Sequence, residues 1–78
     1  MPQPGPDSAA LGLALRALRE ERGVSQVELA TAAGFKQSYV SSLENGQRNP
    51  SWNTVVRLAR GLGIRVADLA SRAEEAVG

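Results

Sequence analysis

Apolar residues recur every three to four positions through most of the chain, which is the spacing of helices with one buried face. No stretch alternates apolar and polar residues as a strand does, and no internal repeat occurs. The pattern predicts five short helices, at about residues 8–22, 26–33, 37–45, 52–62 and 66–75. The residues expected to face the core are Leu11, Leu15, Leu18, Val27, Leu29, Ala30, Ala33, Val40, Leu43, Trp52, Val55, Leu58, Ala59 and Leu62.

The ends of these helices carry recognisable signals. Ser25 and Glu28 have the spacing of a capping box, in which each side chain accepts a hydrogen bond from the other residue's backbone N–H. Ser51 is placed to cap the fourth helix. Glycines that suit helix C-termini follow the first four segments, at Gly23, Gly34, Gly46 and Gly63.

Residues 1–7 hold three of the four prolines and are expected to form a flexible N-terminal arm. Such an arm is either an untethered tail or a segment that touches DNA. Residues 8–78 then form one small domain.

Composition excludes several kinds of chemistry. The 78 residues contain no cysteine and no histidine, so disulfides, zinc ligation by these residues and histidine catalysis are excluded. Neither a catalytic constellation nor a metal or cofactor motif is present, and an enzyme is not expected. No apolar run of membrane length appears, so a cytoplasmic location without membrane attachment is expected.

The third helix has an unusual outward face. On a helical wheel one arc is polar and uncharged, while Val40 and Leu43 occupy the opposite side and Tyr39 the border. A solvated helix would normally carry Glu, Lys and Arg there, whereas short amides and hydroxyls suit hydrogen bonding to base edges in DNA. We refer to this arc as the polar face; it comprises Gln37, Ser38, Ser41, Ser42 and Asn45.

The flanking segments favour DNA over a merely solvated helix. Three residues separate the second helix from the third, and Gly34 lies among them, which fits a helix-turn-helix. Gln26 lies at the N-terminus of the second helix, where backbone N–H groups favour a phosphate. The loop after the third helix carries Arg48 and Asn49, which are suited to phosphate contacts.

Residues 15–69 resemble the lambda-repressor-like (Cro-type) helix-turn-helix domain, most specifically in "GVSQVELA", "SYVSSLENG" and "RNPS" followed by "LARGLGI". The resemblance implies an all-α, compact five-helix domain that binds double-stranded DNA as a homodimer on a two-fold operator. It implies base contacts by Gln37, Ser38 and Ser42, with Tyr39 and Ser41 alongside. The phosphate contacts it implies involve Gln26, Asn45, Arg48 and Asn49, and Lys36 is expected to contact phosphate as well.

The same resemblance implies a partly buried salt bridge between Arg19 and Glu44 that ties the first helix to the recognition helix. Arg65 departs from the family pattern, because a small polar residue usually caps the fifth helix there. Between Gly23 and Val56 the charges of Glu28, Lys36, Glu44 and Arg48 sum to zero, which predicts a weak positive field and a shallow salt dependence of DNA binding. An apolar stripe on the fifth helix is the expected dimer interface, and it comprises Val66, Leu69, Ala70, Ala73 and Val77.

The leading interpretation is a transcriptional regulator, similar to restriction–modification controller proteins and phage-type repressors. The alternatives are a DNA-binding antitoxin that also binds a toxin protein, and a protein-interaction domain on the same scaffold. The uncharged polar face argues against the interaction domain, because interface cores favour aromatic residues and Met. No small-molecule ligand is expected.

Overall fold

The computed structural model describes residues 6–77, and within this range the chain forms five α-helices and no strand. The expected all-α, five-helix class is therefore confirmed. The helices are α1 (Pro6–Glu21), α2 (Gln26–Ala33), α3 (Gln37–Glu44), α4 (Trp52–Leu62) and α5 (Val66–Val77).

Helix α1 begins two residues earlier than predicted. Pro6 and Asp7, which the sequence pattern places in the arm, lie in its first turn. Proline is well suited to this position because its missing N–H has no partner within the helix, and the Asp7 carboxylate complements the helix dipole. The rest of the predicted arm, residues 1–5, lies outside the described residues.

The predicted capping signals operate as hydrogen bonds. In α2 the Ser25 hydroxyl accepts a bond from the Glu28 N–H at 3.0 Å, and the Glu28 carboxylate accepts one from the Ser25 N–H at 2.9 Å. In α4 the Ser51 hydroxyl accepts a bond from the Thr54 N–H at 3.2 Å. These local bonds define where α2 and α4 begin.

At the start of helix α5, Arg65 occupies the capping position where the family usually has a small polar residue. Instead, the Asp68 carboxylate reaches back one turn and accepts a hydrogen bond from the Arg65 N–H at 3.2 Å. One of the unpaired N-terminal donors is thereby satisfied, and the acidic side chain also lies at the favourable end of the helix dipole. The start of α5 at Val66 agrees with the prediction.

The core lies where α1 packs lengthwise against α5, with α2 and α4 closing the other side. Helix α3 packs on α1 and α2, so its polar face is left on the outside. The largest fully buried side chains are Leu15, Leu29, Val40, Leu58 and Leu69.

Two residues expected in the core are exposed. Val27 is 60% exposed because it lies two residues before Leu29, about 200° around α2 and therefore on its opposite side. Trp52 is 68% exposed. It shares an angular position with buried Ala59 but lies about 10 Å further along the axis, at the first residue of α4 and beyond the packed part of the helix.

Within residues 6–77, no helix is both long and apolar enough to cross a membrane. In the same part of the chain, no group of three acidic, histidine or cysteine side chains could hold a metal ion.

Candidate nucleic-acid interface

The turn between α2 and α3 is defined by two backbone hydrogen bonds. The Gly34 N–H donates to the carbonyl of Thr31 at 3.3 Å, and the Phe35 N–H donates to that of Ala30 at 2.8 Å. This is the Schellman arrangement, which requires a left-handed residue, and Gly34 supplies it with φ of 80°. The chain re-enters a helix at Gln37, so α2 and α3 form the expected helix-turn-helix.

The polar face of α3 is accessible along its length. Gln37, Ser38 and Asn45 are exposed, whereas Ser41 and Ser42 are half-buried. The Ser42 hydroxyl donates a hydrogen bond to the Ser38 carbonyl at 3.0 Å within the helix. Because its proton is used in this bond, the hydroxyl oxygen can only accept a further hydrogen bond. The opposite side of α3 is anchored by buried Val40 and Leu43.

Arg19 and Glu44 form a fork-to-fork ion pair beneath this face. Arg19 Nε lies 2.6 Å from Glu44 Oε2, and Arg19 Nη2 lies 3.0 Å from Glu44 Oε1. The side chains are only 12% and 3% exposed, and the third guanidinium nitrogen donates to the Val24 carbonyl. The hydrogen bond to Glu44 raises the pKa of Arg19 above its ordinary value, against the opposing effect of burial. The carboxylate of Glu44 is therefore turned inward and paired, away from the surface where phosphates would lie.

Gln26 links this buried pair to the polar face. Its amide nitrogen donates to Glu44 Oε1 at 3.0 Å, and its carbonyl oxygen accepts a bond from Gln37 Nε2 at 2.7 Å. A continuous chain of hydrogen bonds thus runs from Arg19 in α1 to the exposed amide of Gln37. Gln26, predicted to contact phosphate, makes both side-chain bonds within the protein in this structure.

The predicted phosphate-contacting residues border α3 at both ends. Lys36 is exposed at the N-cap of α3, where its side chain makes no capping bond. Beyond α3 the chain turns at Gly46, whose φ is 72°, and leads to exposed Arg48 and Asn49. The side-chain oxygen Oδ1 of Asn49 accepts a bond from the Ser8 hydroxyl at 3.4 Å, which ties this loop to α1.

The predicted dimer residues on α5 do not share one environment. Leu69 is 1% exposed and lies in the domain's own core, so it offers no surface to a second copy. Val66 and Ala73 are half-buried against that core, and Ala70 is exposed. The side chain of Val77 lies outside the described part of the chain.

The interface also includes two residues that the sequence pattern does not predict. Phe35 follows the turn glycine and stacks beside Tyr39, with ring centroids 5.0 Å apart. Arg57 of α4 donates to the carbonyls of Ala33 and Gly34 at 3.0 and 2.9 Å. An aromatic residue directly after the turn is a weak local signal for Phe35, but no local pattern connects Arg57 to a turn 23 residues away.

Comparison with known proteins places this geometry in a family. A protein-family model described as a helix-turn-helix domain matches residues 10–73. The uncharacterized HTH-type transcriptional regulator y4dJ of Sinorhizobium fredii is 43% identical over 58 residues, which cover 74% of this chain and 75% of that protein. The immunity repressor protein of Bacillus phage phi105 is 39% identical over 57 residues, covering 73% of this chain but 40% of the repressor.

A solved structure shows the same fold. The restriction–modification controller protein C.AhdI from Aeromonas hydrophila superposes with a TM-score of 0.78 at 41% identity, covering 81% of this chain and 96% of C.AhdI. The chain belongs to the helix-turn-helix domain family, among DNA-binding transcriptional regulators. None of these three relatives is named for a toxin, so the antitoxin alternative gains no support from them.

Proposed function

We propose that this protein is a sequence-specific transcriptional regulator that binds a two-fold DNA operator as a homodimer, with α3 in the major groove. The observation that carries the proposal is the polar face, an exposed and uncharged helix surface held on a rigid base. Its amides and hydroxyls match the donors and acceptors of base edges, and it lies on the second helix of a helix-turn-helix. C.AhdI, at 41% identity, supports a controller-type regulator, and the phi105 relative supports a phage-type repressor.

Within this proposal the side chains divide by role. Base edges are read by Gln37, Ser38, Ser41 and Ser42, with Tyr39 at the border of the same surface. Phosphates are held by residues at the two ends of α3 and at the N-terminus of α2, which set the register on the duplex without reading sequence. These residues are Gln26, Lys36, Asn45, Arg48 and Asn49.

The hydrogen-bond chain explains how the recognition surface is kept in place. Because Gln37 is bonded to Gln26, and Gln26 to the buried Glu44, the exposed amide is oriented before DNA arrives. Pre-organisation lowers the entropy that binding would otherwise cost. A regulator of this kind acts by binding DNA in the cytoplasm. It needs neither catalysis nor a cofactor or small-molecule ligand.

The homodimer is proposed to form through the outer side of α5, where Ala70 is exposed next to Val66. Small side chains let two helices approach closely around a two-fold axis, and the half-sites would then lie about 34 Å apart. Sedimentation at micromolar concentration without DNA tests this. The wild type is expected to be a dimer and Ala70→Glu a monomer, with Ser71→Glu, about 100° away on α5, as the dimeric control. A monomeric wild type would rule the interface out.

The DNA-binding proposal is tested by selecting duplexes from a random library with the wild-type protein. A two-fold motif with half-sites about one helical turn apart is expected. Footprinting upstream of the protein's own reading frame then locates the motif in its genome, because small regulators of this kind often act there. Failure to enrich any motif under low-salt conditions would overturn the proposal.

A further inference from the structure

Four side chains form a stack that runs from α4 across the helix-turn-helix to the loop after α3. The Arg57 guanidinium lies 4.1 Å from the centroid of the Phe35 ring. The Phe35 and Tyr39 ring centroids are 5.0 Å apart at an interplanar angle of 49°. The Arg48 guanidinium lies 5.9 Å from the centroid of the Tyr39 ring. We refer to Arg57, Phe35, Tyr39 and Arg48 as the stack.

The inner end of the stack is fixed. Arg57 Nε donates to the Ala33 carbonyl and Nη2 to the Gly34 carbonyl, two acceptors that the end of α2 leaves available. Phe35 is half-buried and packs against the hydrophobic core. A guanidinium held by two carbonyl oxygens and a ring packed against the core fix the position of the aromatic surface beside Tyr39.

The outer end is exposed and cationic. Arg48 is exposed, and among residues 6–77 its side chain makes no hydrogen bond or ion pair, so the Tyr39 ring is what orients it. Both residues line an open cavity of about 540 Å³, together with Lys36, Ser38 and Ser42. The cavity lies between the recognition helix and the loop, with Lys36 adding a second cation to its wall.

We propose that Phe35 and Tyr39 form a positioning platform for Arg48, and that Tyr39 acts on DNA through Arg48 rather than by reading a base. The inference rests on the proposed function and refines it. A long arginine side chain loses much rotamer freedom when it binds a phosphate, and a cation held over an aromatic face has already lost part of it. Phosphate affinity is thereby raised without any contribution to base preference.

The platform predicts a distinct pattern of binding affinities in a double-mutant cycle of Tyr39 and Arg48. The affinities are measured on the selected duplex and on an unrelated duplex. Tyr39→Leu keeps the apolar volume but removes the ring face, and is expected to weaken binding to both duplexes about two- to five-fold per half-site, the effect of an exposed cation–π contact. Tyr39→Phe keeps the ring and is expected to bind like the wild type. In an Arg48→Ala background, Tyr39→Leu is expected to have no further effect.

Two further readouts separate positioning from a merely structural role. Arg48→Ala is expected to lower the salt slope by about one ion per half-site, and Tyr39→Leu is expected to move the slope part of the way to that value. Phe35→Leu is expected to act like Tyr39→Leu, provided its denaturation midpoint shows that the domain is folded at the binding temperature.

Several results would overturn the platform while leaving the proposed function intact. Additive losses in the cycle would show that Tyr39 acts independently of Arg48. Relaxed preference at one base position in Tyr39→Leu would make Tyr39 a base reader, and a loss in Tyr39→Phe would assign the effect to a direct contact by its hydroxyl. By contrast, a wild-type protein that selects no motif would contradict the proposed function itself.

Discussion

Gly12 of α1 lies directly against the backbone carbonyl oxygen of Glu44, at the end of the recognition helix. A Cβ at this position would come within 2.7 Å of that oxygen and closer still to the carbonyl oxygen of Leu43. Neither carbonyl can turn aside without distorting α3. The close crossing of α1 and α3 therefore depends on a residue without a side chain.

Gly12→Ala is expected to destabilise the domain by about 1–3 kcal/mol, the usual result of forcing extra atoms into a packed contact. In an exposed helix interior the same change stabilises by about 1 kcal/mol, so the sign of the effect is diagnostic. Urea denaturation followed by circular dichroism measures it. Arg16→Ala, on the exposed side of α1, is the control and should change stability little. A stabilised Gly12→Ala variant would contradict the crossing geometry.

Arg19→Ala is expected to destabilise the fold by about 3 kcal/mol, because it leaves the Glu44 carboxylate buried without its cation. This is the lower end of the range for buried pairs, since the pair lies close enough to the surface for some water to reach it. The matched control is Arg72→Ala, which breaks the exposed ion pair with Glu21 and should change stability little. Equal effects of the two variants in chemical denaturation would show that the Arg19–Glu44 pair is not a structural element.

Gln37→Ala is expected to reduce operator affinity by about 1–3 kcal/mol and to relax preference at one base position. Gln26→Ala should instead weaken binding to all sequences, with a smaller loss of preference at that base position than in Gln37→Ala, because Gln37 loses only the partner that orients it. Because the two amides are bonded at 2.7 Å, their effects should not add in the double variant. The affinities of the two single variants and of the double variant are measured on a panel of operators that each carry one base change. Identical profiles for the two single variants would contradict the division between base reading and phosphate holding.

The salt dependence of DNA binding is expected to be shallow. Glu44 is neutralised by Arg19, and Arg57 is held by carbonyl oxygens, so Lys36 and Arg48 remain as the exposed cations bordering α3. About four ion contacts per dimer correspond to a slope of about −3 to −4 for log K against log salt concentration. Lys36→Gln should reduce the slope by about two per dimer. A wild-type slope that requires about ten or more contacts would contradict this picture.

Acid should weaken the domain partly through the capping box of α2. The hydrogen bond from the Ser25 backbone N–H lowers the pKa of Glu28 below its ordinary value of 4.5. A depressed pKa means that this stabilisation is complete above the ordinary value and is lost as the pH falls through the folded-state value. Glu28→Gln keeps an acceptor oxygen but cannot titrate. Its stability should therefore fall less steeply with acid than that of the wild type, and an unchanged slope would contradict the assignment.

Local chemistry explains why most of the helix pattern was predictable. A capping residue, a glycine at a helix end and an apolar stripe act within a few residues, and they give the same outcome in most tertiary settings. The capping box at Ser25 and Glu28 and the left-handed Gly34 are examples. Local rules also explain the start of α5, because an acidic residue at its third position does part of what a serine cap would do.

The amino-acid sequence by itself therefore determined the five helices, the turn between α2 and α3, and the uncharged outward face of the recognition helix. Only the tertiary structure decided that Trp52 is exposed, that Gly12 is the crossing point of α1 and α3, and that Arg57 and Phe35 support the interface. The physical reason is distance along the chain. Each of these outcomes depends on where a helix contacts another helix or loop many residues away in the chain. Apolar periodicity specifies which face of a helix is buried, but not how far along the helix the neighbouring elements bury that face.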